Sequence, residues 1–540
     1  MKDISSTGSF VDFTLENFIY VDKTVYIPQL VKLKRVFISR PRRFGKSLTL
    51  DTIATLFETG VEPYFKGTWI YDKWTEPTYP VLRLNFLDLD KYSLEHFKQK
   101  LNAIISSFAR DINVKNYEEK VEPEDTIYFL LDELRKEKRQ IVILIDEYDC
   151  QMTANINNET LYKQFQEKIK SFYANIKDKF AIKFLGITGV TRLKDVSIFS
   201  VGSDINDITN ASAYSQMIGF TRDEIKKYYI DYLKLASSYE NNCSVDDVTD
   251  TQLESMLDMM AQNYDGYCFD EDYEKKVFST WSVNKFFQTM IEKKKVQFGE
   301  YWYDNGGLPS ILVNYLKTHE LNIFEYLDKD KFLKVSSDDF KNPTALTTIN
   351  QNVLMCQTGY LTLRSDLNKT STVALGIPNG EIYKALNRLL ANNIFKGNTD
   401  ITDDYGRSLL EVGTVDDIIN LFNSALNSVS YDNYPIVSES SVQNMLKLYL
   451  LGAHQKVLSE VHEAKGRADL VVNTDNRRIV FEFKYAKNET EAKSKLLDAV
   501  EQIKTRDYGN IVPKKTELLR IAAVFNADPK VRAFTEYQAV

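Results

Sequence analysis

The sequence predicts a multidomain α/β protein: a parallel sheet with helices on both faces at the N-terminal end, a helical middle region, and a smaller αβ domain at the C-terminal end. Three observations carry this. Apolar strand-like runs alternate with helix-like segments up to Thr188, an aromatic-rich stretch of helical periodicity follows, and the chain from Pro435 reads helix, three strands, helix, strand. At 540 residues the chain exceeds one ordinary core, since domains usually run about 100 to 200 residues.

The N-terminal elements begin with Val36 to Ser39, an apolar run that reads as a strand, followed by a loop and the amphipathic segment Ser47 to Glu58. Pro80 to Phe86, Gln140 to Asp146 and Phe180 to Thr188 read as further strands, and Ser93 to Ile112 and Glu159 to Lys177 as helices between them. Strands separated by helices require a parallel sheet covered on both sides. Thr221, with Glu224 three positions later, forms a capping box that opens the helical region. Tyr264, Tyr267, Trp281 and Trp302 in that region read as helical core. Beyond it, a helix, the short strands GYLTL and STVAL and the helix IPNGEIYKALNRLL suggest a small helical or winged-helix-like module and linker. The expected domains are therefore 1–221, 222–335, 336–434 and 435–540, with no internal repeat.

Composition narrows the class. With 43% hydrophobic and 27% charged residues the chain is globular rather than disordered. MKDISSTGSF lacks a basic stretch followed by an apolar run, and no window of about 18 apolar residues occurs. The expectation is a cytoplasmic protein without a membrane partner. Cys150, Cys243, Cys268 and Cys356 form no CxxC pair, so neither a disulfide framework nor a zinc site is implied. The net charge of −8 argues against coating nucleic acid through bulk charge. Residues 435–540 hold 17 Lys plus Arg against 14 Asp plus Glu, a net of +3, which leaves −11 for residues 1–434. The C-terminal part is thus the one suited to face phosphates.

Phosphates bind where a strand turns through a loop into a helix N-terminus, because unpaired N–H groups and the helix dipole point at the anion. Arg40-Pro41-Arg42-Arg43-Phe44-Gly45-Lys46-Ser47 occupies such a place. Arg43 and Gly45 of the loop are expected to bind the nucleotide, Lys46 is placed to reach the β and γ phosphates of ATP, and Ser47 to bind Mg²⁺, although Arg40 replaces the first Gly of the P-loop pattern. A carboxylate at the end of a neighbouring strand completes such a site. Asp146, ending the run IVILID, would support the metal and Glu147 would polarise the attacking water. Thr188 or Thr191 would sense the γ-phosphate, with Arg192 as a further candidate, and ordinary strand-end polarity accounts for these three equally well.

Metal-dependent phosphodiester hydrolysis needs clustered carboxylates and a nearby cation. GRADLVVNTDNRRIVFEFKYA offers that set. If Asp475-Asn476 is a two-residue turn, Thr474 pairs with Arg477 and Asp469 stands opposite Glu482, with their Cβ atoms about 5 Å apart. Lys484 then shares that face, while Ile479, Phe481, Phe483 and Tyr485 point into a core. Glu439 precedes Val442 by three positions and extends the stripe of Val442, Met445, Leu446 and Tyr449, unless it merely complements the helix N-terminus.

The pattern GR-x-D followed by E-x-K resembles the PD-(D/E)XK nuclease superfamily over roughly residues 435 to 540. The resemblance implies a restriction-endonuclease-like αβ fold, metal binding by Asp469 and Glu482, a catalytic lysine at Lys484 and a supporting acid at Glu439. Gln502 and Tyr508 look like that family's glutamine motif, which organises the site or touches nucleic acid; Ala468 stands where the family name has proline. The whole chain is similar to a bacterial family that joins an AAA-ATPase-like domain to a PD-(D/E)XK domain, through RPRRFGKS, ILIDEYD, GITGVTR and IVFEFK; in that family an arginine-rich P-loop is usual. These resemblances imply an ATP-binding nuclease that uses Mg²⁺ or Mn²⁺, is gated or driven by ATP and acts on nucleic acid, DNA before RNA. The alternative is a nucleotide-switched module that binds nucleic acid or protein without cutting. Homo-oligomerisation is left open by the sequence.

Overall fold

Val36, Phe37 and Ile38 leave no polar face on their strand, and the structure buries all three. The computed structural model describes the chain except residues 177–179, 194–204, 303–309, 317–318, 320–322, 344, 368–370, 396–404, 454, 464–465 and 510–516. It divides into two compact units, Met1–His319 with Phe332–Ile382 and Glu320–Lys331 with Tyr383–Val540.

In the first unit, β1 (Arg35–Ser39), β2 (Val81–Asn85), β3 (Ile141–Asp146), β4 (Ile182–Gly189) and β5 (Asn206–Asp207) form one parallel sheet in the order β2-β3-β4-β1-β5. Helices cover both faces. The helix Lys46–Thr59 lays Phe57 5.9 Å from Phe184 of β4, and Phe97 of the helix Leu94–Asp111 packs 5.4 Å from Phe165 of the helix Glu159–Ile176. The two-residue strand β5 and the helix Pro123–Lys136 add to the expected elements. A strand of two residues has no alternation to detect, whereas the helix carries a legible start in its N-terminal proline.

The helical stretch begins where the capping box places it: Thr221 Oγ1 accepts from the Glu224 N–H, and the Glu224 carboxylate accepts from the Thr221 N–H. The helices Ile230–Asn241, Asp250–Tyr264 and Thr280–Lys293 bury Leu233, Met256, Tyr264, Phe286 and Phe287 in one core. Tyr264, Tyr267 and Trp302 are core residues as expected, while Trp281 is only half-buried and serves the phosphate loop described below. A three-stranded antiparallel sheet follows, β6 (Leu333–Ser336), β7 (Thr362–Leu363) and β8 (Thr372–Gly376), in the order β6-β8-β7. It contains both short strands read from GYLTL and STVAL.

The second unit holds β9 (Lys456–Glu463), β10 (Gly466–Asn473), β11 (Arg477–Ala486), β12 (Glu517–Asn526) and β13 (Ala533–Ala539) in the order β13-β12-β11-β10-β9. Only β11 and β12 pair in parallel, joined through the helix Glu489–Arg506. The terminal strand β13 extends the expected order. Its run FTEYQA is mostly polar, and Phe534 supplies the apolar anchor, 5.6 Å from both Phe483 and Phe525. Among the described residues all four cysteines are free thiols, and no helix is long and apolar enough to cross a membrane.

A carboxyl group of the first unit is buried against a backbone amide and a hydroxyl. Glu381 is 1% exposed and accepts from the Trp302 N–H and the Ser282 hydroxyl, both at 2.8 Å. Desolvation pushes its carboxyl up from the ordinary 4.5 to about 8. The folded protein therefore holds this proton more tightly than the unfolded chain, so this group's contribution falls as pH rises from about 4.5 through about 8. Glu381→Gln keeps the Trp302 bond through its carbonyl and meets the Ser282 hydroxyl as a donor, without the titration; its denaturation midpoint should gain on that of the wild type steadily from pH 5 to pH 8, as urea melts across that range would show.

Candidate functional site

Parallel strands end along one edge of their sheet, and the polar residues of β1, β3 and β4 meet there. The chain leaves β1 at Ser39, passes through Arg40 to Phe44 and enters the helix Lys46–Thr59 from Gly45, which has φ +100°. A side chain at that angle would be strained. Lys46 is buried, donating to the carbonyls of Arg40 and Pro41 at 3.1 and 3.2 Å, with Glu147 Oε1 3.5 Å away. Ser47 Oγ donates to Asp146 Oδ2 at 2.6 Å, and the Thr188 hydroxyl donates to Asp146 Oδ1. Lys46, Ser47, Asp146, Glu147 and Thr188 are thus brought together. Asp146 was expected on a strand neighbouring β1, but β4 lies between β1 and β3. The contact survives because the Asp146 side chain reaches past Thr188 at the end of the intervening strand.

Two of the loop arginines, Arg40 and Arg43, turn away from that cluster. Arg40 is 1% exposed, donates to the carbonyls of Ser39 and Thr209, and lies 4.2 Å over the Phe269 ring. Its desolvation lowers the guanidinium to about 9, so Arg40 ties the loop to the end of β5 rather than facing a phosphate. Arg43, at φ +69°, donates to the carbonyls of Tyr301 and Trp302 and stands 4.8 Å over the Trp281 ring. The expectation that the Arg43 side chain binds the nucleotide is thus corrected: its backbone belongs to the loop, while its guanidinium is taken up by carbonyls of the helical stretch.

The two candidate threonines separate cleanly. Thr188 serves Asp146, whereas Thr191 is fully buried and bonds Asp149 through both its N–H and its hydroxyl. Arg192 pairs with Asp207 of β5. Asp149, last residue of the run DEYD, went unremarked in the sequence. It is buried and holds the Val190 and Thr191 amides, and burial pushes its carboxyl up, with Glu147 adding to the rise and the hydrogen bonds opposing it. Gly189 is required beside it, because a Cβ there would stand 2.4 Å from the Tyr148 ring. A cavity of about 160 Å³ adjoins the loop, lined by Gly45, Leu48 and Thr49 together with Tyr20, Phe220 and Trp281. Nothing in the sequence marked it, since its walls come from distant segments.

In the second unit, the turn closes with the Thr474 N–H bonded to the Arg477 carbonyl at 2.9 Å, and Leu470 pairs with Phe481. That register places Asp469 opposite Glu482, and Asp469 Oδ2 accepts from the Phe483 N–H at 2.8 Å. Lys484 Nζ lies 2.8 Å from Glu482 Oε1 and 3.4 Å from Glu439 Oε1, Glu439 being the first residue of the helix Glu439–Gly452. On the other face Phe481 and Phe483 stack at 5.4 Å.

Glu482 is 1% exposed, and its Oε2 has no hydrogen-bond partner among the described residues. Desolvation, with Asp469 as the next contribution, raises its carboxyl to about 7. Burial alone would lower Lys484, but Glu482, Glu439 and Asp469 outweigh it and hold the ammonium above its ordinary value. Among the described residues no three His, Cys, Asp or Glu side chains are grouped to hold an ion. The expected set Glu439, Asp469 and Glu482 is therefore not closed around one point: the Lys484 ammonium stands between two of its members, and the Asp469 side chain is bonded to β11. A divalent ion still fits the donors, because the buried Glu482 Oε2 is an unpartnered hard oxygen.

Gln502 donates to the Tyr508 hydroxyl at 3.3 Å, as the shared motif would place them. Tyr508 itself is fully buried among Val480, Ile503 and Ala522, so the expectation that it touches nucleic acid is corrected: its hydroxyl holds Gln502 and Arg506 from within the core. Gln502 is half-buried and accessible from outside.

Comparisons with known proteins match the two ends of the chain to different families. A family model described as a predicted AAA-ATPase matches residues 5–199, and a model of the PD-(D/E)XK nuclease superfamily matches residues 437–534. An uncharacterized protein from the vnfD 5' region of Azotobacter chroococcum mcd 1 is 26% identical over 532 residues, covering 95% of this chain and 94% of that protein. Among solved structures, the ORC1 protein of Aeropyrum pernix, in complex with DNA, aligns at 9% identity over 71% of this chain and 97% of its own, with a TM-score of 0.28. Cdc6p from Pyrobaculum aerophilum aligns at 10% identity over 68% and 91%, with a TM-score of 0.21.

Replacing Asp149 by Ala strands the buried Val190 and Thr191 amides, which should cost about 3 kcal/mol and be visible as a lowered chemical-denaturation midpoint.

Proposed function

We propose that this chain, which joins an AAA-ATPase-like domain to a domain of the PD-(D/E)XK nuclease superfamily, hydrolyses phosphodiester bonds of nucleic acid, DNA in preference to RNA, with a divalent metal and under the control of ATP. The observation that carries this reading is the convergence of Asp469, Glu482, Lys484 and Glu439 on one face of the C-terminal sheet, with a buried oxygen of Glu482 left unpartnered.

Mg²⁺ or Mn²⁺ would supply charge neutralisation at the scissile phosphate and a more acidic water. Asp469 and Glu482 are the residues to hold it, with Glu439 in support at the helix N-terminus. The carboxylates around Lys484 hold its ammonium above the ordinary value, which suits it to steady the charge that builds on the phosphate oxygens. Gln502, oriented by Tyr508, would meet the nucleic acid beside the site. The net +3 of residues 435–540 favours an approaching polyanion.

In the N-terminal domain, Lys46 would neutralise the β and γ phosphates of ATP, Ser47 and Asp146 would hold Mg²⁺, and Glu147 would orient the attacking water. Thr188 fixes Asp146 and lies next to the expected γ-phosphate. The 160 Å³ cavity beside Gly45, with Tyr20, Phe220 and Trp281 in its walls, suits the base.

One observation favours a second reading. The Lys484 ammonium already bridges Glu482 and Glu439, which would suit a nucleotide-switched module that binds nucleic acid or protein without cutting. Cleavage assays decide between the two. Labelled single- and double-stranded DNA and RNA, incubated with Mg²⁺ or Mn²⁺, should be cut by the wild type and cut on the order of a hundredfold more slowly by Lys484→Ala; Lys46→Ala should cut without responding to ATP. Absence of cutting under every metal, with ATP still bound, would leave the switched module as the function.

A further inference from the structure

The strands of the N-terminal sheet also begin along one edge, opposite the phosphate loop, and that edge carries a groove of about 730 Å³. β1, β3 and β4 start here at Arg35, Ile141 and Ile182. The volume lies within the range of ligand-holding clefts, roughly 300 to 1,000 Å³. Ligands of parallel sheets ordinarily gather at the other edge, where the strands end, so the fold alone gives no reason for this cleft to be charged.

It is charged nonetheless. Among the described residues, Lys32, Lys34, Arg35, Lys73 and Lys183 line it against one acid, Glu76. Lys183 pairs with Glu76 at 2.6 Å, and among the described residues Lys32, Lys34 and Lys73 have no acidic partner. Lys73 instead donates to the Trp69 carbonyl and lies 4.6 Å over its ring. Residues 1–434 together carry −11, so the excess of positive charge among the described lining residues runs against its surroundings. Lys34 also closes the helix Ile27–Leu33 at φ +64°, an angle glycine adopts without strain.

The cations are joined by aromatic groups. Phe180, just ahead of β4, is 64% exposed in the groove. Trp74 lines the same wall, and its indole N–H is buried without a hydrogen-bond partner among the described residues. Positive charge along a cleft and a ring open to stacking are the elements of single-strand recognition. A duplex, with its bases stacked inside, would leave Phe180 unused.

We propose that this groove binds single-stranded nucleic acid, its backbone running along Lys32, Lys34 and Lys73 and a base stacked on Phe180. The proposal rests on the reading of the chain as a nucleic-acid enzyme and names a second place where that substrate is held.

The test uses the full chain carrying Lys484→Ala, with binding of a labelled oligo-deoxythymidylate followed by fluorescence anisotropy over a series of salt concentrations. The triple variant Lys32→Gln, Lys34→Gln, Lys73→Gln should bind at least tenfold more weakly, with the slope of log affinity against log salt reduced by roughly two. Phe180→Ala should weaken binding with the slope unchanged. Circular dichroism and ATP binding report whether the triple variant folds; if it does not, Lys32→Gln and Lys73→Gln alone should each lower the slope by about 0.7. Parental affinity and slope in folded variants would overturn the proposal, even in a chain whose wild type cleaves DNA. Groove-dependent binding in a chain that never cleaves would uphold the groove and remove only the nuclease reading. Loss of sedimentation with phosphatidylserine vesicles in the triple variant, with oligonucleotide binding untouched, would overturn it in favour of a membrane surface.

Discussion

A carboxylate shut away from water has to be compensated by something else, and Glu482 shows how far the C-terminal domain is organised around that requirement. Its side chain is 1% exposed on a central strand, one oxygen held by Lys484 and the other without a partner among the described residues. An ionised carboxylate in such a place is costly unless a cation stands beside it. Lys484 therefore supports the fold as well as any chemistry, and the stacked Phe481 and Phe483 on the reverse face keep β11 in the register that holds the pair together.

The same requirement shapes the N-terminal domain with different partners. Lys46 is buried against carbonyls and Glu147, Arg40 against carbonyls and the Phe269 ring, and Asp149 against two amides and a hydroxyl. Each charge is met by groups from a different segment, so the phosphate loop, the end of β3 and the loop after β4 hold one another in place. Arg43 extends this to the helical stretch through the carbonyls of Tyr301 and Trp302. Two of the arginines that replace a glycine-rich loop thus have a structural account: Arg40 and Arg43 anchor the loop and leave Lys46 and Ser47 beside Asp146.

Much of the site was legible because short-range rules place its residues. A two-residue turn at Asp475-Asn476 fixes the pairing of β10 with β11, and with it Asp469, Glu482 and Lys484 on one face. GKS after a strand, and DE after an apolar run, likewise mark Lys46, Ser47, Asp146 and Glu147. What was not legible depends on distant segments. Tyr508 follows Gln502 by six residues in the pattern of a surface motif, yet the packing of Val480, Ile503 and Ala522 closes over it. Thr191 was as good a candidate as Thr188 until Asp149 claimed it. The strand β13, largely polar and at the sheet edge, shows its role only through Phe534.

The sequence by itself determined the periodicities, the turn, the caps and the order of elements, because each depends on neighbours within a few positions along the chain. Tertiary structure alone decided where the loop arginines point, which threonine meets Asp146, how Lys484 divides itself between Glu482 and Glu439, and that basic side chains collect where the strands of the first sheet begin. Those outcomes depend on burial, and burial is set by residues far apart in sequence that share a core.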